Sequence, residues 1–322
     1  MSMIDDGREQ WAASVNEVTI GATSEDGGTR GSAVTIGGAK ALPFIPSEGQ
    51  APRKPVVAME VFDCEPPADW PAPLLEALGD VVKSPAEWAK ACVEQFGAEM
   101  ICLTLVGTHP DSENRSADEA AATVKAVLEA VDVPLVIWGC DNDEKDNEVL
   151  PKCSQAAAGE KCLFGTVKED NYKTLVASCL ADGHAIVGLS PIDINIAKQV
   201  NILVSEMGFP LDRIVMYQTT GALGYGIEYT YSIQERGRVA ALSGDKMMAL
   251  PVICMVGQEA WRAKESKATN EEQPGWGDEK TRGVFWEITT ATALLQAGSD
   301  ILVMRHPEAV KALRDHIDTL TA

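Results

Sequence analysis

Val57-Ala58-Met59-Glu60-Val61-Phe62-Asp63-Cys64-Glu65-Pro66-Pro67 decides between two architectures. The run begins one residue earlier at Val56 and reads as a short, continuous apolar strand that reaches Glu60. Such runs belong to parallel strands covered on both faces. The segment from Val61 to Pro67 holds no glycine. A doubly wound open sheet would place a glycine-rich phosphate turn straight after its first strand. The stretch therefore favours a closed barrel over the open sheet.

The rest of the chain keeps the same rhythm. Further strands are expected at Met100–Val106, Leu135–Cys140, Cys162–Gly165, Ala185–Ser190, Ile214–Tyr217, Val252–Val256 and Ile301–Arg305. With Val56–Glu60 these make eight strands, each followed by a helical stretch. Ser84-Pro85-Ala86-Glu87 and Ser116-Ala117-Asp118-Glu119 have the form of helix-opening capping boxes. Val124, Val127, Leu128 and Val131 then share one helix face. Pro307 opens the last helix, and Pro151 weakens the helix expected around 144–157. Eight βα units over residues 51–322 predict a TIM (β/α)8 barrel.

Residues 1–50 do not follow that rhythm. Val18-Thr19-Ile20-Gly21 recurs as Val34-Thr35-Ile36-Gly37, with the turn signal Glu25-Asp26-Gly27-Gly28 between the copies. This predicts an N-terminal β-hairpin extension and a proline-bearing linker. A lone hairpin holds no core, so it must pack on the barrel or on a partner.

The 322 residues carry 27 Lys+Arg against 48 Asp+Glu, a net charge of −21. Phosphate backbones repel such a surface, which argues against nucleic acid. No apolar run nears the roughly 18 residues of a membrane span. Met1-Ser2-Met3-Ile4-Asp5-Asp6 lacks the basic and apolar regions of a signal peptide, so a cytoplasmic location is expected. None of the eight cysteines forms a C-x-x-C pair, the local spacing that zinc and iron–sulfur sites usually show. Cys102, Cys162 and Cys254 read instead as small buried hydrophobes.

A barrel carries its chemistry on the loops after the strands. In order, that rim holds Glu60 and Asp63; Thr108 and His109; Asp141, Asn142 and Asp143; and Thr166. It continues with Ser190 and Asp193; Gln218, Thr219, Thr220 and Gly221; Gly257, Gln258 and Glu259; and Arg305 and His306. The rim is rich in hydrogen-bonding groups and shows no nucleophile–base motif and no paired-histidine metal motif. Asp141 and Asp143 read either as cation ligands or as a solvated acidic loop. Gly221-Ala222-Leu223-Gly224-Tyr225-Gly226 holds no Lys or Arg. It suits close approach of a planar group or of another backbone better than it suits phosphate. His184 precedes its strand, which assigns it a structural role at the other end. The long 257–281 connection carries Trp261 and Trp276, expected to be exposed; Trp276 reads equally as a contact residue or as one folded back on the barrel.

The run Tyr217-Gln218-Thr219-Thr220-Gly221-Ala222-Leu223-Gly224-Tyr225-Gly226, with Gly27-Gly28-Thr29-Arg30, Val34-Thr35-Ile36-Gly37-Gly38 and Val57–Asp63, resembles the small subunit of the corrinoid iron–sulfur protein of the CO dehydrogenase/acetyl-CoA synthase system. The resemblance spans nearly the whole chain. It implies a non-catalytic or accessory barrel subunit that pairs with a large corrinoid iron–sulfur subunit as a heterodimer. The partner would anchor the corrinoid (cobalamin) and carry the 4Fe–4S cluster, leaving none on this chain. A methyl group would pass from methyltetrahydrofolate, through a separate methyltransferase, to the corrinoid and on to acetyl-CoA synthase in the reductive acetyl-CoA pathway. The corrinoid signature D-x-H-x-x-G is not met at Asp182-Gly183-His184, because Val187 stands where glycine is needed. Under this resemblance Asn142, Gln218, Thr219, Thr220, Gly221, Gly224 and His306 are the expected corrin contacts. The alternative is a barrel that binds the pterin itself and transfers its methyl, using Asp141, Asn142, Asp193 and Asn195.

Overall fold

The computed structural model describes residues 9–322. The signal-peptide reading of residues 1–6 lies outside them. Ten strands are present among the described residues. β1 (Glu17–Ile20) and β2 (Val34–Gly37) form an antiparallel hairpin, with Val18 opposite Ile36 and Thr19 opposite Thr35. The other eight are parallel: β3 (Val56–Phe62), β4 (Met100–Thr104), β5 (Leu135–Trp138), β6 (Leu163–Val167), β7 (Ala185–Leu189), β8 (Ile214–Tyr217), β9 (Ile253–Cys254) and β10 (Ile301–Met304).

Their order is β8-β7-β6-β5-β4-β3-β10-β9. A parallel bridge from Met216 to Val252 joins the two end strands and closes the cylinder, with Met216 N–H donating to Pro251 O at 2.8 Å. The expected TIM (β/α)8 barrel is therefore the fold. The closing seam is short for a physical reason. Pro251 has no N–H to give, and the chain turns into a helix, Val256–Arg262, straight after Met255. The strand expected at Val252–Val256 shrinks to Ile253–Cys254.

Alternation along the strands builds two cores. Val57, Met59 and Val61 face the helices, and Val56 and Ala58 face the lumen. The lumen also takes Met100, Val136, Leu163, Val215, Ile253 and Ile301. Val18, Ile20 and Ile36 of the hairpin join this same lumen cluster, all with no exposed surface. The hairpin thus stops the N-terminal end of the barrel, and its own apolar side is covered. Arg30, beyond the turn, pins it in place. The guanidinium meets Glu160 at 2.8 Å, donates to Leu128 O at 2.6 Å and also bonds Val131 O.

Several helix signals hold and some do not. Ser116 and Glu119 make the reciprocal capping box of helix Ala117–Ala130. Ser84 opens helix Pro85–Glu94 without any side-chain cap bond, so that expected box is not formed. Helix Asp143–Ala156 runs unbroken through Pro151. Its Asn142 cap and the buried Val149, Leu150 and Cys153 keep it together. No helix among the described residues is long and apolar enough to cross a membrane.

Candidate functional site

The inward parity that fills the lumen brings Glu60, Thr104, Trp138 and Tyr217 to the C-terminal mouth. Trp138 and Tyr217 meet edge to face at 5.1 Å, from β5 and β8. Both are largely buried, and together they occupy the lumen below the mouth. Beside them runs a polar chain. Thr104 Oγ1 donates to Glu60 Oε1 at 2.8 Å, and Arg305 Nε donates to Glu60 Oε2 at 2.5 Å. The Arg305 guanidinium lies over the rings of Phe62 and Trp70, at 5.2 and 5.4 Å from their centroids.

Sequence reasoning missed Glu287, on helix Glu279–Ala297. It is fully buried and accepts from Trp261 Nε1 at 2.8 Å, Arg305 N at 2.6 Å and His306 N at 3.1 Å. Burial pushes its carboxyl up to about 7, against the pull of those donors. Trp261, expected on an exposed loop, is in the core because its indole reaches this carboxylate. Trp276 is 39% exposed, with Lys264 and Arg282 near its ring at 5.7 and 5.8 Å.

The seven expected corrin contacts fall in three places. Gln218 comes after the inward Tyr217, so it points outward toward Gly237; it is buried, and both its amide atoms lack a partner. Thr219 is held at φ 56 and donates to Ser190 O at 2.8 Å. Thr220 accepts from Met255 N at 3.0 Å, which ties the β8 loop to the β9 loop. Gly221 N–H donates to Thr230 Oγ1 at 2.8 Å, and Gly224 is exposed at φ 75. Asn142 stands apart as the cap of its helix, accepting from Lys145 N at 3.0 Å. His306 caps helix Pro307–Leu320 through Nδ1, lies stacked against Trp261 at 6.0 Å, and is held below the usual histidine range by burial.

The remaining rim residues are tied into local structure. Lys168 Nζ lies 2.8 Å from Asp143 and 3.4 Å from Asp141, so the acidic loop carries its own counter-ion. Asp193 caps helix Ile194–Glu206, accepting from Asn195 N and Ile196 N. Asp63 accepts from Gly107 N at 2.7 Å, and burial raises its carboxyl. His109, Trp138, Cys140, Asp141 and Gln258 help line a cleft of 320 Å³ at the mouth. All eight cysteines are free, with Cys102, Cys162 and Cys254 buried as read. No group of three or more His, Cys, Asp or Glu is placed to hold a metal among the described residues. His184 sits at the opposite end, accepting from Cys162 N at Nδ1 and bonding Ser154 O through Nε2.

The arrangement is a plugged, hydrogen-bonding mouth beside an uncharged glycine-bearing loop, and comparison with known proteins gives it a family. Residues 17–318 match the family model described as CO dehydrogenase/acetyl-CoA synthase delta subunit. The chain belongs to this delta subunit family. One delta-family relative, the acetyl-CoA decarbonylase/synthase complex subunit delta of Methanosarcina mazei, is 40% identical over 316 residues, covering 97% of this chain and 72% of the relative. The Archaeoglobus fulgidus subunit of the same name is 36% identical over 322 residues, covering 97% and 70%. The fold of the delta subunit is shared with dihydropteroate synthases. The Xanthomonas albilineans enzyme superposes with a TM-score of 0.55 at 13% identity, over 84% of this chain and 94% of that one. The Thermus thermophilus enzyme gives 0.53 at 16%, over 83% and 94%.

Proposed function

We propose that this delta subunit is the non-catalytic barrel of a corrinoid iron–sulfur methyl carrier and that its mouth caps the corrinoid held by a large partner subunit. The partner is the anchor of the cofactor and of the 4Fe–4S cluster, and the methyl group moves from methyltetrahydrofolate, through a methyltransferase, to acetyl-CoA synthase. When bound, the corrinoid supplies a nucleophilic cobalt that takes and gives up the methyl.

The observation that carries the reading is the β8 loop. Gln218 to Gly226 holds no charged residue, and Gly224 and Tyr225 are exposed at its crest. A flat macrocycle can approach such a surface closely. The plugged lumen suits a lid rather than a deep pocket. This chain's work is then to exclude water and to lay an uncharged loop beside the metal. Three of the four residues that would serve a pterin are engaged elsewhere: Asn142 and Asp193 cap helices, and Asp141 is near Lys168.

The test is affinity of the full chain for the corrinoid-loaded large subunit, with the cobalt potential read in the same complex. Gly224→Asn keeps a residue tolerated at positive φ but adds bulk at the crest. Affinity should fall and the potential should shift. Unchanged values, or saturable binding of methyltetrahydrofolate by this chain alone, overturn the reading.

A further inference from the structure

Arg305 uses only one of its five side-chain N–H donors on a protein partner. Its Nε goes to Glu60; the two terminal Nη groups have no partner among the described residues. The side chain is nonetheless only 9% exposed. Neither Nη is among the fully buried side-chain atoms that lack a partner, so both reach the protein surface, where an acceptor from outside the chain can meet them.

The fork is also rigid. The rings of Phe62 and Trp70 lie against it, at 5.2 and 5.4 Å from the guanidinium carbon. Glu287 fixes its backbone N–H at 2.6 Å. Gly257 lies so close that a Cβ there would come within 2.8 Å of Arg305 Cγ. A planar, pre-organised pair of donors suits a carbonyl or an oxyanion. Charge separates the two. Glu60 already balances Arg305, so an incoming anion would meet a carboxylate as well as the guanidinium. A neutral acceptor meets no such penalty.

We infer that Arg305 donates its terminal N–H groups to a neutral amide carbonyl on the edge of the corrin ring when the loaded partner docks on the mouth. The inference rests on the capping reading and adds to it a specific binding residue, one strand beyond the β8 and β9 loops.

The experiment measures binding of the full chain to the large subunit in corrinoid-loaded and corrinoid-free form. Wild type, Arg305→Lys and Gly224→Asn are compared. Lysine keeps a cation for Glu60 and removes the fork. The double variant Glu60→Gln/Arg305→Met removes both charges together and covers the case in which the lysine variant folds poorly. Arg305→Lys and the double variant should each bind the loaded partner about tenfold more weakly and the corrinoid-free partner as wild type does. Equal weakening toward both forms overturns the inference and points to a main-chain carbonyl of the partner. No weakening by either variant, with Gly224→Asn still impaired, overturns the role of Arg305 and leaves the cap standing. Indifference of wild type to the presence of corrinoid overturns both.

Discussion

Arg305 and Glu60, at the ends of two adjacent strands of the barrel, form an ion pair of 2.5 Å in which the side chains are 9% and 2% exposed. The second oxygen of Glu60 is taken by Thr104. Removing one partner of such a pair leaves a charge stranded away from water, which costs roughly 3–5 kcal/mol. Glu60→Ala should lose that much in urea-induced unfolding. Glu60→Gln/Arg305→Met should lose far less, since no charge is stranded. A loss below about 1 kcal/mol for Glu60→Ala would show that water reaches Arg305 freely.

Glu287 gives the barrel a pH dependence of unusual sign. Its folded value is about 7, raised by burial from an ordinary 4.5. The folded state therefore holds this proton more tightly than the unfolded chain does. Its contribution is fully present below pH 4.5 and is lost as pH rises through 7, on the order of 3 kcal/mol in all. Glu287→Gln abolishes the titration. The wild-type minus variant stability should fall between pH 4.5 and 7 and stay level above it. A flat difference curve across that range refutes the assignment.

The strands were legible because parallel strands buried on both faces read as unbroken apolar runs, as Val56-Val57-Ala58-Met59 does. The mouth was only partly legible. Glu60, Arg305 and His306 lie on the rim as expected, yet Glu287, which accepts from the backbone N–H groups of Arg305 and His306, sits mid-helix, where a lone glutamate reads as solvated. Period-two alternation already places Gln218 outward once Tyr217 points in, so its burial against Gly237 comes from the strand rather than from the loop. Ser84 failed as a cap because the capping sequence allows the bond without enforcing it. Trp261 was misplaced because its one buried acceptor lies on a helix more than twenty residues away in sequence, where no local pattern reveals it.

The hairpin offers a separate check. A division into residues 1–50 as an extension and 51–322 as the barrel is proposed from the sequence, while Ile36 and Ile20 pack into the barrel's own lumen cluster. Ile36→Ala should leave a cavity and cost roughly 2–4 kcal/mol. Because the cavity opens onto the lumen, calorimetry should show one transition moved to lower temperature. Two separate transitions, with the larger unmoved, would mean that the hairpin folds and melts by itself.

Two glycines of the β8 loop should respond differently to the same substitution. At Gly221 the obstacle is space: a Cβ would stand 2.6 Å from Gly226 O and 2.7 Å from Gly226 C, so the loop must open and strain the bond from Gly221 N–H to Thr230 Oγ1. At Gly224 the obstacle is backbone conformation alone, since φ is 75 and the nearest atom, on Trp286, is 3.6 Å away. Gly224→Ala should therefore cost about 1 kcal/mol. Gly221→Ala should cost roughly 1–3 kcal/mol and also loosen the loop, lowering protection of the Gly221 amide in hydrogen exchange. If Gly224→Ala proves the more damaging of the two, the close approach between Gly221 and Gly226 does not hold the loop's shape in solution.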